Sequence, residues 1–396
     1  MNIMFVNLAR MVEDTGGLAK VACTFSNEMV KRGHAVSLLH ADERKGKFFF
    51  PIDDRVKLYN IKERAHESFI SMPKDLRAVR ELFRLYGRQL ASEVNSWFNE
   101  KYLLENVRTI YDEIGPDVIV VHQPASTKLL ALDMGVTTPI ITLSHGDPAD
   151  YFVNYPQKEL AALPKSAVCQ VLMKSFEKIL LDKYPELRIE TIGNAVPQFS
   201  EPVDLKSEKT VRKILFVGAL NKGRKRPHLL IEAFAKVVTK YPDWIVEIWG
   251  KEDNKNYKNY LMDKISELNL SENVKIMGST KDVPAVLRGG DIFVFTSASE
   301  GFGMSLAEAM SMGLPVIGYR SCMAVNELIN DGTNGLLVDD GVMSLAEALE
   351  RLMGDELLRV NLGKAARIDM EKYAPDRIWD KWEMLIKNVA EHKRSI

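Results

Sequence analysis

The most restrictive feature of this chain is a rhythm of short apolar runs, each closed by polar residues and followed by a helical stretch, that breaks off near residue 200 and starts again. Residues 2–8 read as a short buried strand, and the Gly16-Gly17 turn leads into an amphipathic helix with Leu18, Val21, Phe25 and Met29 at helical spacing. Gly33 stops that helix before the strand AVSLLH. The runs DVIVVH (117–122) and PIITLSH (139–145) follow, with polar ends that would cluster at one edge of a sheet. Strands alternating with helices in this way predict a parallel α/β sheet.

Over residues 194–213, NAVPQFSEPVDLKSEKTVRK, the texture turns polar with two prolines, and the alternation restarts at KILFVG. WIVEIWG, a helix to about Leu268, NVKIMG, a short helix, DIFVFTS, a helix from about Met304, LPVIGY, another helix and GLLVDD complete a second doubly wound unit. The expected domains are residues 1–196 and 212–372, an α/β chain of two Rossmann-like halves with no readable repeat between them. Pro375 interrupts the C-terminal helical pattern, and Ile378, Trp379, Trp382 and Ile386 form an apolar stripe that must pack on something.

Charge excludes some functions. Lys and Arg total 53 against 54 Asp and Glu, a formal net charge of -1, so no global field favours nucleic acid. Cys23, Cys169 and Cys322 are far apart and in no C-x-x-C arrangement, which suggests neither a disulfide framework nor a zinc site and fits a reducing cytoplasm. The start, MNIMFVNLARM, lacks the regions of a secretory signal, and no apolar stretch approaches the roughly 18 residues that span a bilayer. The expectation is a cytoplasmic protein, neither exported nor integral.

The segment SASEGFGMSLAEAMSMG (297–313) follows the strongest strand of the second half. Gly301 and Gly303 allow close backbone approach to a ligand, and the free N–H groups of Met304, Ser305 and Leu306 open a helix whose positive end suits an anion. The dinucleotide fingerprint G-x-G-x-x-G is missed, because Leu306 holds its third position. Glu300 precedes the glycines and Glu308 lies one turn into the helix, so both can reach one ligand over the loop. Acceptor-only carboxylates suit vicinal hydroxyls, although a solvated loop acid beside a helix acid is an equally open reading. At the junction KILFVGALNKGRKRPHLLIEAF, Lys222, Arg224, Lys225 and Arg226 gather at the edge where open α/β sheets bind ligands, as a diphosphate clamp or as plain basic surface.

Together these segments resemble the retaining GT-B glycosyltransferases, specifically glycosyltransferase family four, marked by a Glu, seven residues and a second Glu at this place. Glu300 and Glu308 match it, and the resemblance runs on through LPVIGY and NELINDGTNGLLV and back to VGALNKGRKRPHLLIEAF. In the first half it is carried by TGGLAK, SHGDP and GNAVP. It implies two Rossmann-like domains facing across a cleft, donor mainly on the second and acceptor on the first, with a terminal helix, about 373–396, crossing back to the first. By the resemblance Glu308 holds the ribose hydroxyls, Glu300 contacts the donor sugar and Lys225 neutralises the diphosphate. The backbone at Met277 and Gly278 meets the nucleobase, and Phe302 belongs to the donor loop. Gly16 and Gly17 match the family's glycine loop near the donor phosphate, and His145 matches a cleft histidine. A lone strand-end histidine is commonly a local hydrogen-bonding residue, a reading open for His145 and more so for His122. Where the family places an Arg after the strand-end Gly, this chain has Ala219, which leaves Arg224 or Lys222 to supply the charge.

No D-x-D is found, so cationic side chains and a helix N-terminus would do the work of a divalent ion. The expectation is a retaining hexosyltransferase using a nucleotide sugar, UDP-linked by choice, with no cofactor and no metal. Its acceptor would be a saccharide or a lipid-linked molecule. Residues 71–90 carry Arg77, Arg80, Arg84 and Arg88 near one helical face and Leu76, Val79, Phe83 and Leu90 on another. That stripe suits an anionic membrane surface, with Phe48-Phe49-Phe50 as a wedge, or a core stripe with solvated arginines and a plain strand. The competing functions are an epimerase or phosphorylase on the same scaffold and a non-catalytic bilobed binding protein.

Overall fold

The computed structural model describes residues 1–64 and 68–392, so the last four residues of the expected terminal helix lie outside the described residues. The chain divides into two compact units, one comprising Met1–Ile192 with the chain from Trp379 onward, the other Gly193–Ile378. Both are α/β with an all-parallel sheet, Rossmann-like as the sequence predicts.

In the first unit the strands are β1 (Asn2–Val6), β2 (Ala35–His40), β3 (Lys57–Asn60), β4 (Val118–Val121), β5 (Ile140–Leu143), β6 (Val168–Val171) and β7 (Ile189–Thr191). They pair in the order β3-β2-β1-β4-β5-β6-β7, all parallel. Parallel strands are covered on both faces, so they need no polar alternation. VIVV of β4 and IITL of β5 are buried at every position. The C-terminal stripe completes this core: the rings of Trp379 and Trp382 lie 5.3 and 4.7 Å from that of Phe25, which in turn lies 4.9 Å from Phe5. Arg32 fastens the same helix, donating from Nη1 to Asp380 at 2.7 Å and Glu383 at 2.8 Å.

Two sequence expectations are corrected here. Residues 71–90 form not one helix but parts of two, Lys74–Tyr86 and Arg88–Tyr102, broken at Gly87 with φ +154°, a conformation L residues rarely adopt. The core-stripe reading holds only for Leu76, half-buried against the core: no residue of Lys74–Tyr86 is fully buried, and Val79, Phe83 and Leu90 are exposed. The other correction concerns Phe48 to Phe50, which lie outside any regular strand. Phe48 makes an isolated bridge to Val12, and Phe49 is exposed.

In the second unit β8 (Arg212–Val217), β9 (Trp244–Trp249), β10 (Val274–Gly278), β11 (Ile292–Phe295), β12 (Val316–Tyr319) and β13 (Leu336–Val338) pair in the order β10-β9-β8-β11-β12-β13. All are parallel, around a core that includes Phe216, Phe234, Trp244 and Tyr319. The polar stretch after Gly193 is laid onto this unit. Val196 N–H donates to Tyr373 O at 2.8 Å, Val203 N–H to Met312 O at 2.9 Å, and the Arg367 guanidinium to Phe199 O at 2.7 Å.

Candidate functional site

Strand order reverses between β8 and β11, the point at which open α/β sheets leave a crevice beyond the strand ends. The loops after these two strands are stitched together there. Thr296 Oγ1 donates to Lys225 O at 2.7 Å, Ala298 N–H to Arg224 O at 2.8 Å and Arg226 Nε to Thr296 O at 2.9 Å. The stitching brings Lys225 Nζ to 2.6 Å from Glu300 Oε1, an ion pair whose side chains are 11% and 10% exposed. The Lys225 ammonium also lies 4.9 Å from the centre of the Phe295 ring. A pair so shielded from water interacts far more strongly than a surface pair. Burial pushes the nearby Cys322 thiol up, and the Glu300 carboxylate adds to the shift.

Gly303, at φ +88°, turns the chain into the helix Met304–Met312. A non-glycine residue there is strained whatever space surrounds it. The first N–H groups of that helix, at Met304, Ser305 and Leu306, have no partner within the helix itself. Met304 and Ser305 are half-buried, as are Gly301 and, one turn on, Glu308. Phe302, expected among the donor-binding residues, has its ring buried edge-on to Tyr373 at 5.1 Å, so only its backbone can serve a ligand. Met277 and Gly278 end β10 at the same sheet edge, separated from β11 by β9 and β8. Met277 is 43% exposed, and Gly278 holds φ +78°.

The four expected clamp cations part company. Arg226 turns away, pairing with Asp340 at 2.8 Å and stacking 5.0 Å from the Tyr319 ring, and the Lys222 ammonium sits 4.9 Å from the Tyr260 ring. Lys225 remains at Glu300. Arg224 is exposed, and its guanidinium makes no hydrogen bond or ion pair among the described residues. Ala219 is half-buried. The structural role of Arg226 was invisible in a run of four basic residues.

In the first unit the reversal lies between β1 and β4. After β1, Asp42 organises the loop by accepting from the N–H groups of Met11 and Val12 at 2.9 and 3.1 Å. Gly16 N–H donates to Asp14 Oδ1 at 2.7 Å, and a Cβ on Gly16 would come within 2.9 Å of the same oxygen. Gly17, with open space around it, begins the helix Gly17–Lys31. His122 and His145 follow β4 and β5, with His122 Nδ1 3.0 Å from His145 Nε2 and the rings stacked at 5.1 Å. Burial pushes His145 down to about 4 and His122 well below its ordinary value. Both rings are therefore neutral at pH 7, and His145 offers a hydrogen bond rather than a charge. The two belong together, whereas the sequence ranks them separately.

Residues 198–369, within the second unit, match the profile of the family described as Glycosyl transferases group 1. Among curated relatives, an exopolysaccharide phosphotransferase of Streptomyces coelicolor is 25% identical over 96% of this chain, which spans 40% of that protein. A poly(ribitol-phosphate) alpha-N-acetylglucosaminyltransferase of Staphylococcus aureus is 29% identical over 54% of this chain and 42% of its own length. The chain thus spans less than half of either relative. Among solved structures, a Staphylococcus aureus TarM mutant in complex with Fondaparinux, alpha-GlcNAc-glycerol and UDP superposes with a TM-score of 0.72, at 17% identity over 98% of this chain and 100% of that one. That likeness establishes the GT-B fold.

Proposed function

We propose that this chain is a retaining hexosyltransferase of glycosyltransferase family four that works without a metal ion. It takes a nucleotide sugar, UDP-linked, on its second unit and serves a saccharide or lipid-linked acceptor, in polysaccharide biosynthesis. The observation that carries this reading is the shielded Lys225–Glu300 pair, 2.6 Å apart, at the sheet's switch point beside the glycine turn into Met304–Met312. A diphosphate arriving there meets Lys225, the helix N-terminus and the unpaired Arg224, which takes the part left open by Ala219. Glu308 binds the ribose hydroxyls, Glu300 the donor sugar, the backbone of Gly301 to Ser305 the phosphates, and Met277 with Gly278 the base. Gly16, Gly17 and His145 serve the transferred group and acceptor from the first unit. In a retaining transfer of this kind the acceptor oxygen attacks on the face that the leaving group vacates. Its proton passes to a phosphate oxygen of the departing nucleotide. The names of the staphylococcal relative and of the UDP complex support the donor class.

The test is a thermal-shift panel of UDP-, GDP- and ADP-sugars in excess EDTA. A donor at 100 times its dissociation constant adds roughly 2.7 kcal/mol of stability. One donor should stabilise the wild type, and Lys225→Ala and Glu308→Ala should lose that shift. A panel that shifts nothing contradicts the reading.

For a lipid-linked acceptor the helix Lys74–Tyr86 is the proposed membrane contact. Leu82, Leu85 and Tyr86 are exposed on it, beside Arg77 and Arg84. Co-sedimentation with vesicles containing anionic lipid should fall severalfold for Leu82→Ser/Leu85→Ser, and undiminished sedimentation of that variant speaks against the contact.

A further inference from the structure

Two cavities of the first unit adjoin. One, of about 410 Å³, is lined by His145, Arg88, Asp147 and Asp150 among others; the second, of about 320 Å³, by Asn95, Asn99, Gln123 and Lys62. Ser92 and Tyr155 line both. One helix, Arg88–Tyr102, runs along the two: Arg88, Ser92, Asn95 and Asn99 recur at helical spacing on one face, while Ala91, Val94 and Phe98 are buried. From Arg88 to Asn99 that polar stripe extends about 16 Å at 1.5 Å per residue, longer than a single sugar ring. Ser92, Asn95 and Asn99 are half-buried, yet none of their side chains makes a hydrogen bond among the described residues.

Half-buried amides left without protein partners are at a cost unless water or a ligand meets them. An amide offers both donor and acceptor, the complement of a hydroxyl. The charges of the groove argue for an uncharged occupant. Lys62 pairs with Glu43 at 2.8 Å and Arg80 with Glu81 at 2.7 Å, while Arg88 shares its cavity with Asp147 and Asp150. We propose that the Arg88–Ser92–Asn95–Asn99 face lines a binding groove for a neutral oligosaccharide of at least two sugars, its growing end at His145 and its body running toward Asn99. The proposal rests on the transferase reading and names the acceptor class for it.

The experiment is an array of immobilised neutral and acidic oligosaccharides, one to six sugars long, probed with the full chain. Neutral members of two or more sugars should bind and the corresponding monosaccharides should not. Asn95→Leu/Asn99→Leu should lower the signal at least tenfold, and Ser92→Trp, at the junction, should abolish binding of the longer members. Each variant is also tested for its nucleotide-sugar thermal shift, which should persist and shows that the fold is intact. Binding only to monosaccharides, only to acidic members or to nothing overturns the proposal, as does undiminished binding by folded variants. The nucleotide shift separates the two failures: its presence with an empty array sinks the groove alone, and its absence sinks the transferase reading.

Discussion

At the scale of single residues, environment decides what a titratable group can do. Glu159 is 3% exposed, and burial pushes its carboxyl up to about 7 from an ordinary 4.5. The folded protein therefore keeps this proton after the unfolded chain has released it. The resulting stability is complete below pH 4.5 and is lost as pH rises to about 7. Glu159→Gln removes the dependence, so the variant should gain on the order of 3 kcal/mol relative to wild type across that window. Paired urea titrations at pH 4.5 and 7.5 read the difference, and a gap between the two proteins that does not change with pH contradicts the assignment. His145, held down to about 4, acts in the opposite direction as pH falls from 6.5, but it is common to both proteins and cancels. Lys225 and Glu300 were singled out in the sequence by residue type and position, and the fold brings them together, whereas Glu308 is proposed beside them on the same pattern. The Asp42 anchor and the His122–His145 contact depend on residues distant in sequence, so no local pattern announces them.

At the scale of elements, the buried strands were legible because their burial on both faces leaves an unbroken apolar run. The same rule explains the misses. β3, KLYN, is an edge strand with no buried residue; β7, IET, is three residues long; and the Gln in β6, VCQV, interrupts the apolar signal while its side chain donates to Ile192 O at 2.6 Å. The break at Gly87 escaped because apolar and basic spacing continues through it. Helix ends show a further dependence on tertiary partners. Arg359, 2% exposed, donates from Nη1 to Leu352 O at 2.6 Å and Met353 O at 3.1 Å, closing the end of the helix Val342–Gly354. Its guanidinium also lies 5.2 Å from the Trp244 ring. Arg359→Met keeps the stem but strands both carbonyls, and should cost about 2–3 kcal/mol in urea unfolding. Nucleotide-sugar affinity should stay unchanged, since the residue supports the unit and not the loop at Glu300.

At the scale of the whole molecule, two parallel sheets of the same class lie in one chain, and in each the strand order reverses once, where the proposed site residues lie. No helix among the described residues is long and apolar enough to cross a membrane. The Lys225–Glu300 site is proposed to turn over a nucleotide sugar without a metal. The direct measurement is release of the nucleotide from the donor found by thermal shift, followed in excess EDTA, for wild type beside Lys225→Ala. The wild type should release nucleotide slowly, with the chelator leaving that release intact, and the variant should lose at least 100-fold, about 2.7 kcal/mol of transition-state stabilisation. Release that stops with the chelator, or continues undiminished without Lys225, contradicts that proposal.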